Sequence, residues 1–198
     1  MLQAEHIRQF ISTWIEVRGD RVMPTSSEFG PFQMRPFLPN IAVYRRAGKG
    51  RYKVSLQGTG LVEAFGFDAT GMYLDKVYPE EVYADLEVLY DLLFSNQYIS
   101  HSVRTYERKQ SGELVTIEHV MAPVSDENGV HDRYVLLAYN VPLPQRPRSD
   151  PNRTIALGNL EERTLYDPHA LLPVECVATT PRDDAAMQES LLSFKDAG

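Results

Sequence analysis

The chain contains one cysteine, Cys176, among its 198 residues. A single thiol excludes an internal disulfide framework and any metal site that needs several cysteines. It fits a reducing compartment, so we expect a cytoplasmic protein.

Long apolar runs are also absent: no uncharged stretch approaches the roughly 20 residues of a membrane span. The N-terminal "MLQAEHIRQF" carries too many charges for a signal peptide.

Positive charge is scarce as well. The chain has 20 Lys and Arg against 27 Asp and Glu, which gives a net charge of -7. A general nucleic-acid binder needs clustered cations to neutralise phosphates, so we expect no nucleic-acid partner.

Catalytic and metal-binding motifs are missing from the sequence. None of the 5 histidines forms an H-x-x-x-H pair, and Glu118 and His119 point to opposite sides of a predicted strand. No G-x-S-x-G nucleophile motif occurs either. We therefore expect no enzyme activity and no metal, unless distant residues assemble a site.

The stretch "SLQGTG" resembles the start of a nucleotide-phosphate loop, because a strand enters two glycines, Gly58 and Gly60, before a helix. A dinucleotide loop needs a third glycine where this chain has Glu63, and a carboxylate there would repel a pyrophosphate. We interpret the glycines instead as the point where an edge strand leaves the sheet and enters a helix.

Hydrophobic periodicity predicts two helices, at 4–18 and 79–94. Strands are predicted at 40–46, 51–57, 99–109, 113–124 and 130–141, the last three joined by the turns "SG" and "DENG". "YVLLAYNV" in the last strand is apolar on both sides, so we expect it in the middle of a sheet that is covered on both faces. The helix that carries Trp14 is available to cover one face.

This order of elements resembles a PAS domain. The hairpin "PVSDENG", with Pro123, Asp126 and Gly129, is similar to the proline–acid–glycine hairpin of many PAS domains. Leu38-Pro39, Gly58-Thr59 and the turn "GFDATG" resemble elements of a bacterial group of stand-alone PAS-like proteins. The resemblance covers about residues 20 to 141.

The expected fold is therefore α+β: a PAS-like five-stranded antiparallel sheet, with helices on one face and the N-terminal helix on the other. We expect three regions. Residues 1–39 form the N-terminal helix and a proline-rich lead-in, 40–141 the PAS-like domain, and 142–198 an irregular, partly mobile extension that holds seven of the 13 prolines.

Two-residue turns in both hairpins would fix the strand register. Arg104 would lie opposite His119, and Tyr106 opposite Ile117. In the next hairpin His119 would lie opposite Ala138, and Met121 opposite Leu136. All these residues would share one face. The other face would carry Val103, Val120, Val135, Leu137 and Tyr139.

In PAS domains the positions that correspond to Leu136 and Ala138 face the helices and line the ligand cavity. The resemblance thus implies a pocket between the sheet and the 79–94 helix. The candidate ligand-binding residues are Arg104, Tyr106, Ile117, His119, Met121, Leu136, Ala138, Leu86, Leu89, Tyr90 and Leu93. Arg104 would meet an anionic group, with His119 partly protonated beside it. Alternatively, both side chains reach solvent or hydrogen-bond to loop carbonyls.

The resemblance implies a non-enzymatic sensory module that binds a small molecule, such as an amphiphilic anion, and communicates with a partner protein. A ligand-free interaction or dimerisation module is the alternative. PAS domains often associate through the N-terminal segment, which implies a homodimer contact there. In the PAS family, haem sensors usually bind haem through a histidine of the long helix, and flavin photosensors of this type carry a reactive cysteine in the helical region. Haem and flavin are therefore disfavoured here, because the 79–94 helix contains no histidine and Cys176 lies outside the helical region. We expect no cofactor.

Overall fold

The computed structural model describes residues 2–78, 80–107, 114–140 and 159–174. Its α-helices are α1 (Leu2–Arg18), α2 (Thr59–Phe65), α3 (Leu74–Val77) and α4 (Glu80–Asn96), and a 3-10 helix spans Arg35–Asn40. Its strands are β1 (Ile41–Gly48), β2 (Arg51–Gln57), β3 (Ile99–Glu107), β4 (Leu114–Ser125), β5 (His131–Asn140) and β6 (Asn159–Tyr166).

The strands form one antiparallel sheet in the order β2-β1-β5-β4-β3-β6. β5 lies between β1 and β4, and its residues 134–138 are all buried. This confirms the α+β fold and the central position that the two-sided apolarity of β5 predicts.

The sheet has six strands, and the expectation of five is wrong. The sixth, β6, pairs with the outer edge of β3 and lies in the 142–198 segment that we expected to be irregular. Its sequence "NLEERTLY" is an edge-strand sequence, with charges in the middle and no clear alternation, and such strands give a weak pattern. The rest of that segment, 142–158 and 175–198, lies outside the described residues.

The predicted register is right in one hairpin and wrong in the other. β4 and β5 pair as expected, with His119 opposite Ala138 and Met121 opposite Leu136. In the β3–β4 pair, however, Arg104 lies opposite Ile117 and His119 lies opposite Ser102.

The shift also places Tyr106 opposite Val115. The observed pairing of Glu107 with Leu114 is centred one residue earlier in the chain than the "SG" turn on which the prediction depends. A shift of two residues preserves the faces, so the predicted grouping of side chains survives.

Each face of the sheet has its own apolar core. On one face α1 covers the sheet, with Phe10, Ile11 and Trp14 packed in one cluster with Val120 and Leu137. On the other face, α2, α3 and α4 cover the second cluster. The prediction that the N-terminal helix covers the outer face is confirmed.

Gly58 and Gly60 lie where the turn into α2 passes the Leu38-Pro39 backbone. A Cβ atom on Gly58 would collide with the carbonyl oxygens of Leu38 and Pro39, and one on Gly60 would lie 2.9 Å from the Pro39 oxygen. The Gly58 amide donates a 2.7 Å hydrogen bond to the Ile41 carbonyl oxygen. The glycines therefore permit a close approach of two backbone segments. As a result, the Leu38-Pro39 element contacts the Gly58-Thr59 element.

Candidate functional site

A cavity of about 60 Å³ lies between the sheet and the α2–α3 region. Its floor is formed by β1, β4 and β5, including Ala42, Ile117, His119, Leu136 and Ala138. Its roof comes from α2, α3 and the loop between them, including Leu61, Phe65, Phe67, Leu74 and Val77. Almost all of these side chains are apolar. The volume accommodates a few water molecules, and sites for drug-sized ligands are larger, at about 300–1,000 Å³.

Hydrogen bonds between β2 and the α2–α3 loop hold the roof in place. The Gln57 side-chain amide donates to the Phe67 carbonyl oxygen at 3.2 Å and accepts from the Ala69 amide at 2.8 Å. Within the loop, the Asp68 carboxylate accepts a 2.8 Å bond from the Thr70 amide. This is an Asx-type turn, and hydrogen bonds from the Thr70 hydroxyl and amide lower the pKa of Asp68.

His119 is the polar side chain of the floor. It is 8% exposed, and neither ring nitrogen has a hydrogen-bond partner within the described part of the chain. Burial, together with electrostatic repulsion from Arg104, His101 and Arg163, lowers its pKa to about 3. The imidazole is therefore neutral near pH 7, which corrects the expectation of partial protonation. Neutral imidazole presents one N–H donor and one acceptor.

The structure brings four of the predicted site residues to the cavity: Ile117, His119, Leu136 and Ala138. Five others belong to the same apolar cluster but do not line the cavity: Leu86, Leu89, Tyr90, Leu93 and Met121. The cavity thus lies under α2 and α3, and the expected position under the 79–94 helix is wrong.

Large aromatic side chains fill the space under α4. The Tyr52 ring lies 4.9 Å from Tyr90 and 5.4 Å from Phe94 between centroids, and Phe94 lies 5.0 Å from Tyr134. The Tyr134 hydroxyl donates to the Leu93 carbonyl oxygen at 2.8 Å. These rings pack α4 tightly on the sheet and leave the open volume beside it.

Arg104 is 4% exposed and lies on the same face as His119, one strand further from the cavity. For Tyr106 the structure gives only the backbone pairing with Val115. Sequence reasoning missed Ser102 and Arg163, which are 0% and 7% exposed and lie in the same row as His119. The row becomes visible only once β6 and the correct β3–β4 register are known.

The roof residues Phe65, Phe67, Leu74 and Val77 were missed too. They lie on short helices and an irregular loop, where no periodic pattern indicates which side faces inward. The one sequence signal was the "GFDATG" turn, which predicts the loop but not its position over the sheet.

Within the described residues, no group of three or more His, Cys, Asp or Glu side chains is placed to hold a metal ion. His101 instead pairs with Glu118 at 2.9 Å between Nε2 and Oε1. No helix in that part of the chain is long and apolar enough to cross a membrane.

A family model described as PAS domain matches residues 2–137. No curated protein matches the chain. Among solved structures, a PAS domain of an HTR-like protein from Haloarcula marismortui is 14% identical, with a TM-score of 0.42, 58% of this chain covered and 94% of the other.

A light-oxygen-voltage domain studied with a flavin analogue is 16% identical, with a TM-score of 0.43 and 55% and 82% coverage. The light state of the blue-light photoreceptor Aureochrome1 LOV is 13% identical, with a TM-score of 0.41 and 55% and 86% coverage. Because the family model spans well over half of the chain, this protein belongs to the PAS domain family.

Proposed function

We propose that this protein is a non-enzymatic PAS-type sensory module that binds a small, mainly apolar molecule in the α2–α3 cavity. The module would then communicate to a partner protein whether the cavity is occupied. One observation carries the proposal: at the wall of an apolar cavity, both ring nitrogens of the buried His119 lack a partner among the described residues.

The free-energy cost of leaving the ring nitrogens of His119 unpaired supports a bound molecule there. A buried donor or acceptor without a partner costs about 1–3 kcal/mol, and His119 has one of each. A ligand with a polar group at this end and an apolar body would pair the imidazole and fill the space between Leu136, Ala138 and Phe65. An apolar pocket with few convergent polar groups is typical of small-molecule sites.

The roof supplies a route for the signal. Phe65, Phe67 and Val77 are only half-buried, so they connect the cavity wall to the outer surface. A ligand larger than the cavity of about 60 Å³ would push this roof outward. The surface of α2, α3 and their loop would then differ between the free and bound states, and a partner could distinguish them.

A homodimer through α1 stays a prediction. The apolar side of α1, with Phe10 and Trp14, is buried against its own sheet. A second copy would therefore contact the exposed polar side, which carries Glu5, Arg8 and Glu16.

The small cavity favours a second candidate, a ligand-free interaction module. In that case a few water molecules would pair His119, and the PAS fold would serve only to present a surface. The two candidates differ in one property: only the first is stabilised by a small molecule in a way that depends on the cavity.

A thermal-shift screen with small amphiphilic molecules tests the proposal. A ligand at 100 times its dissociation constant adds about 2.7 kcal/mol, a shift on the order of 5–10 °C for a chain of this size. Ala138→Leu would fill the cavity and abolish the shift, whereas Ala47→Leu, at an exposed position of β1, would retain it. If no compound shifts the wild type, or if Ala138→Leu retains the shift, the ligand-free module is the better conclusion.

A further inference from the structure

Three cations lie side by side across three strands of the sheet. Arg45 of β1 lies opposite Lys53 of β2 and also opposite Arg133 of β5. Residues directly opposite each other in an antiparallel pair point to the same face. Val43, two residues before Arg45, packs against the core cluster beneath α1. The cationic row of Lys53, Arg45 and Arg133 therefore lies on the outer face of the sheet, and the α2–α3 cavity lies on the other face.

One carboxylate accompanies the cationic row. Asp132 lies 2.7 Å from Arg45 and 2.7 Å from Arg133, measured between nitrogen and oxygen atoms. Lys53 contacts the Tyr73 ring, with Nζ 5.9 Å from the centroid, and forms no ion pair with a carboxylate of the described residues. Like charges directly opposite each other destabilise a sheet. The row is therefore unfavourable for the fold and leaves an excess of positive charge at the surface.

The β1–β2 hairpin adds to this excess. Its sequence "RRAGKGRYK", residues 45–53, contains five cations and no acidic residue, in a chain of net charge -7. Arg51 is two residues before Lys53 in β2, so it points to the same face. Its guanidinium lies 4.3 Å from the centroid of Tyr73, on the side of the sheet edge where Lys53 contacts the same ring. Positive charge is thus concentrated at one corner of the outer face.

The cationic row borders an open groove of about 440 Å³. The groove is lined by three cations and by small residues: Arg45, Arg46, Lys53, Ala47, Ser55, Thr70 and Gly71. Leu56 lies opposite Val43, on the same outer face, and is 38% exposed. The surface thus offers cations, room for incoming side chains and one apolar contact.

We propose that the cationic row and Leu56 form a docking surface for an acidic amphipathic helix of a partner protein. This inference goes beyond the proposed small-molecule site, because the surface lies on the opposite face of the sheet. Neighbouring strands are about 4.8 Å apart, so the row spans roughly 10 Å. Carboxylates at i, i+4 and i+7 of a helix lie about 5–6 Å apart, which matches the spacing of the cations.

The alternative anionic occupants fit less well. Side chains on one side of an extended segment are about 6.6 Å apart, which exceeds the spacing of the row. A long polyanion such as nucleic acid would be repelled by the net charge of -7. A short acidic helix would meet the cations alone, and its carboxylates would reduce the repulsion between Arg45, Lys53 and Arg133.

A pair of synthetic helices tests the inference on the full chain. One is an alanine-rich peptide with leucine beside glutamates at i, i+4 and i+7, and the other carries glutamine at the same positions. Fluorescence anisotropy of the labelled peptides measures binding. We expect the glutamate peptide to bind at least about tenfold more tightly, since several exposed charge pairs add up. The difference should shrink at about 1 M salt, where exposed charges are screened.

Lys53→Glu separates a docking role from a structural one. The substitution places a carboxylate opposite Arg45, so it should remove most of the preference for the glutamate peptide and leave the melting temperature equal or higher. A lower melting temperature would show that the row serves the fold and would overturn the proposal. Arg8→Gln is the control, because the adjacent turn of α1 stacks His6 on Tyr139, at the opposite end of β5 from Arg133. It should bind like the wild type.

The remaining outcomes identify other occupants. Equal binding of the two peptides, or an unchanged preference in Lys53→Glu, would overturn the docking surface. Tighter binding of a single-stranded oligonucleotide than of the glutamate peptide would assign the surface to nucleic acid instead. A wild-type dimer in sedimentation that Lys53→Glu dissociates would assign it to a second copy of this chain. Each of these results leaves the small-molecule proposal unaffected.

Discussion

The indole Nε1 of Trp14 donates a 2.8 Å hydrogen bond to the carbonyl oxygen of Pro123. The bond is buried and joins two residues that are 109 positions apart in the chain. It fixes α1 to β4 at the hairpin that leads into the central strand. Trp14 is also fully buried in the outer core cluster, so one side chain contributes both the packing and the directional contact between helix and sheet.

We expect Trp14→Ala to lower the free energy of unfolding by about 3–5 kcal/mol, because it removes a large buried ring and leaves a cavity. Trp14→Phe keeps most of the ring and should cost less. Since Trp14 is the only tryptophan, its fluorescence reports the docking of α1 directly. A water-exposed emission spectrum in the native protein would contradict the packing.

Gly58→Ala should destabilise the protein by about 3 kcal/mol or more, because its Cβ would meet fixed backbone oxygens of Leu38 and Pro39. Gly19→Ala is the control: Gly19 has a φ of 56°, but beyond its two neighbours no atom of the described residues lies within 4 Å of an added Cβ. It should cost only about 1 kcal/mol from backbone strain. Chemical denaturation measures both. Equal costs would show that the Leu38-Pro39 approach is not tight.

The burial of His119 predicts a pH dependence of stability. Its pKa is about 3 in the folded protein, against 6.5 for an unperturbed histidine, so the unfolded chain binds the extra proton between these values. Stability is therefore fully present above pH 6.5 and falls as the pH drops towards 3, by up to about 1.4 kcal/mol per pH unit.

Denaturation of the wild type and of His119→Leu between about pH 5 and neutral checks this. The variant should show the shallower slope. The pKa of His131 is also lowered, to about 4, but His131 is present in both proteins and cancels in the comparison. Identical slopes would mean that His119 gains a proton in the native state.

We predict that the purified protein is colourless. The sequence of α4 offers no histidine for haem and no cysteine for a flavin adduct. An absorption spectrum recorded after gel filtration measures this. A visible band that persists with the protein would overturn the expectation.

The sequence was sufficient to predict the fold where a pattern is compatible with only one structure. The two-sided apolarity of "YVLLAYNV" required a central strand, and the stripe with Phe10 and Trp14 required a covering helix. The β4–β5 register followed from the "DENG" turn, whose geometry permits few alternatives.

Sequence reasoning failed where tertiary packing decides. The β3–β4 register depended on the assumed position of the turn, and β6 is an edge strand with charges in its middle. The resemblance to PAS domains implied a cavity under α4, but the rings of Tyr52, Tyr90 and Phe94 fill that space. The hydrophobic periodicity of a helix does not show how side chains from distant parts of the sequence fill the space beside it.

The central claim is that the α2–α3 cavity binds a small molecule, and native mass spectrometry tests it most directly. The protein is measured as purified and again after incubation with a small-molecule cell extract. We predict a mass above that of the chain alone in the wild type and in Ala47→Leu, and the bare mass in Ala138→Leu. A wild type that carries only its own mass in both measurements would contradict the account.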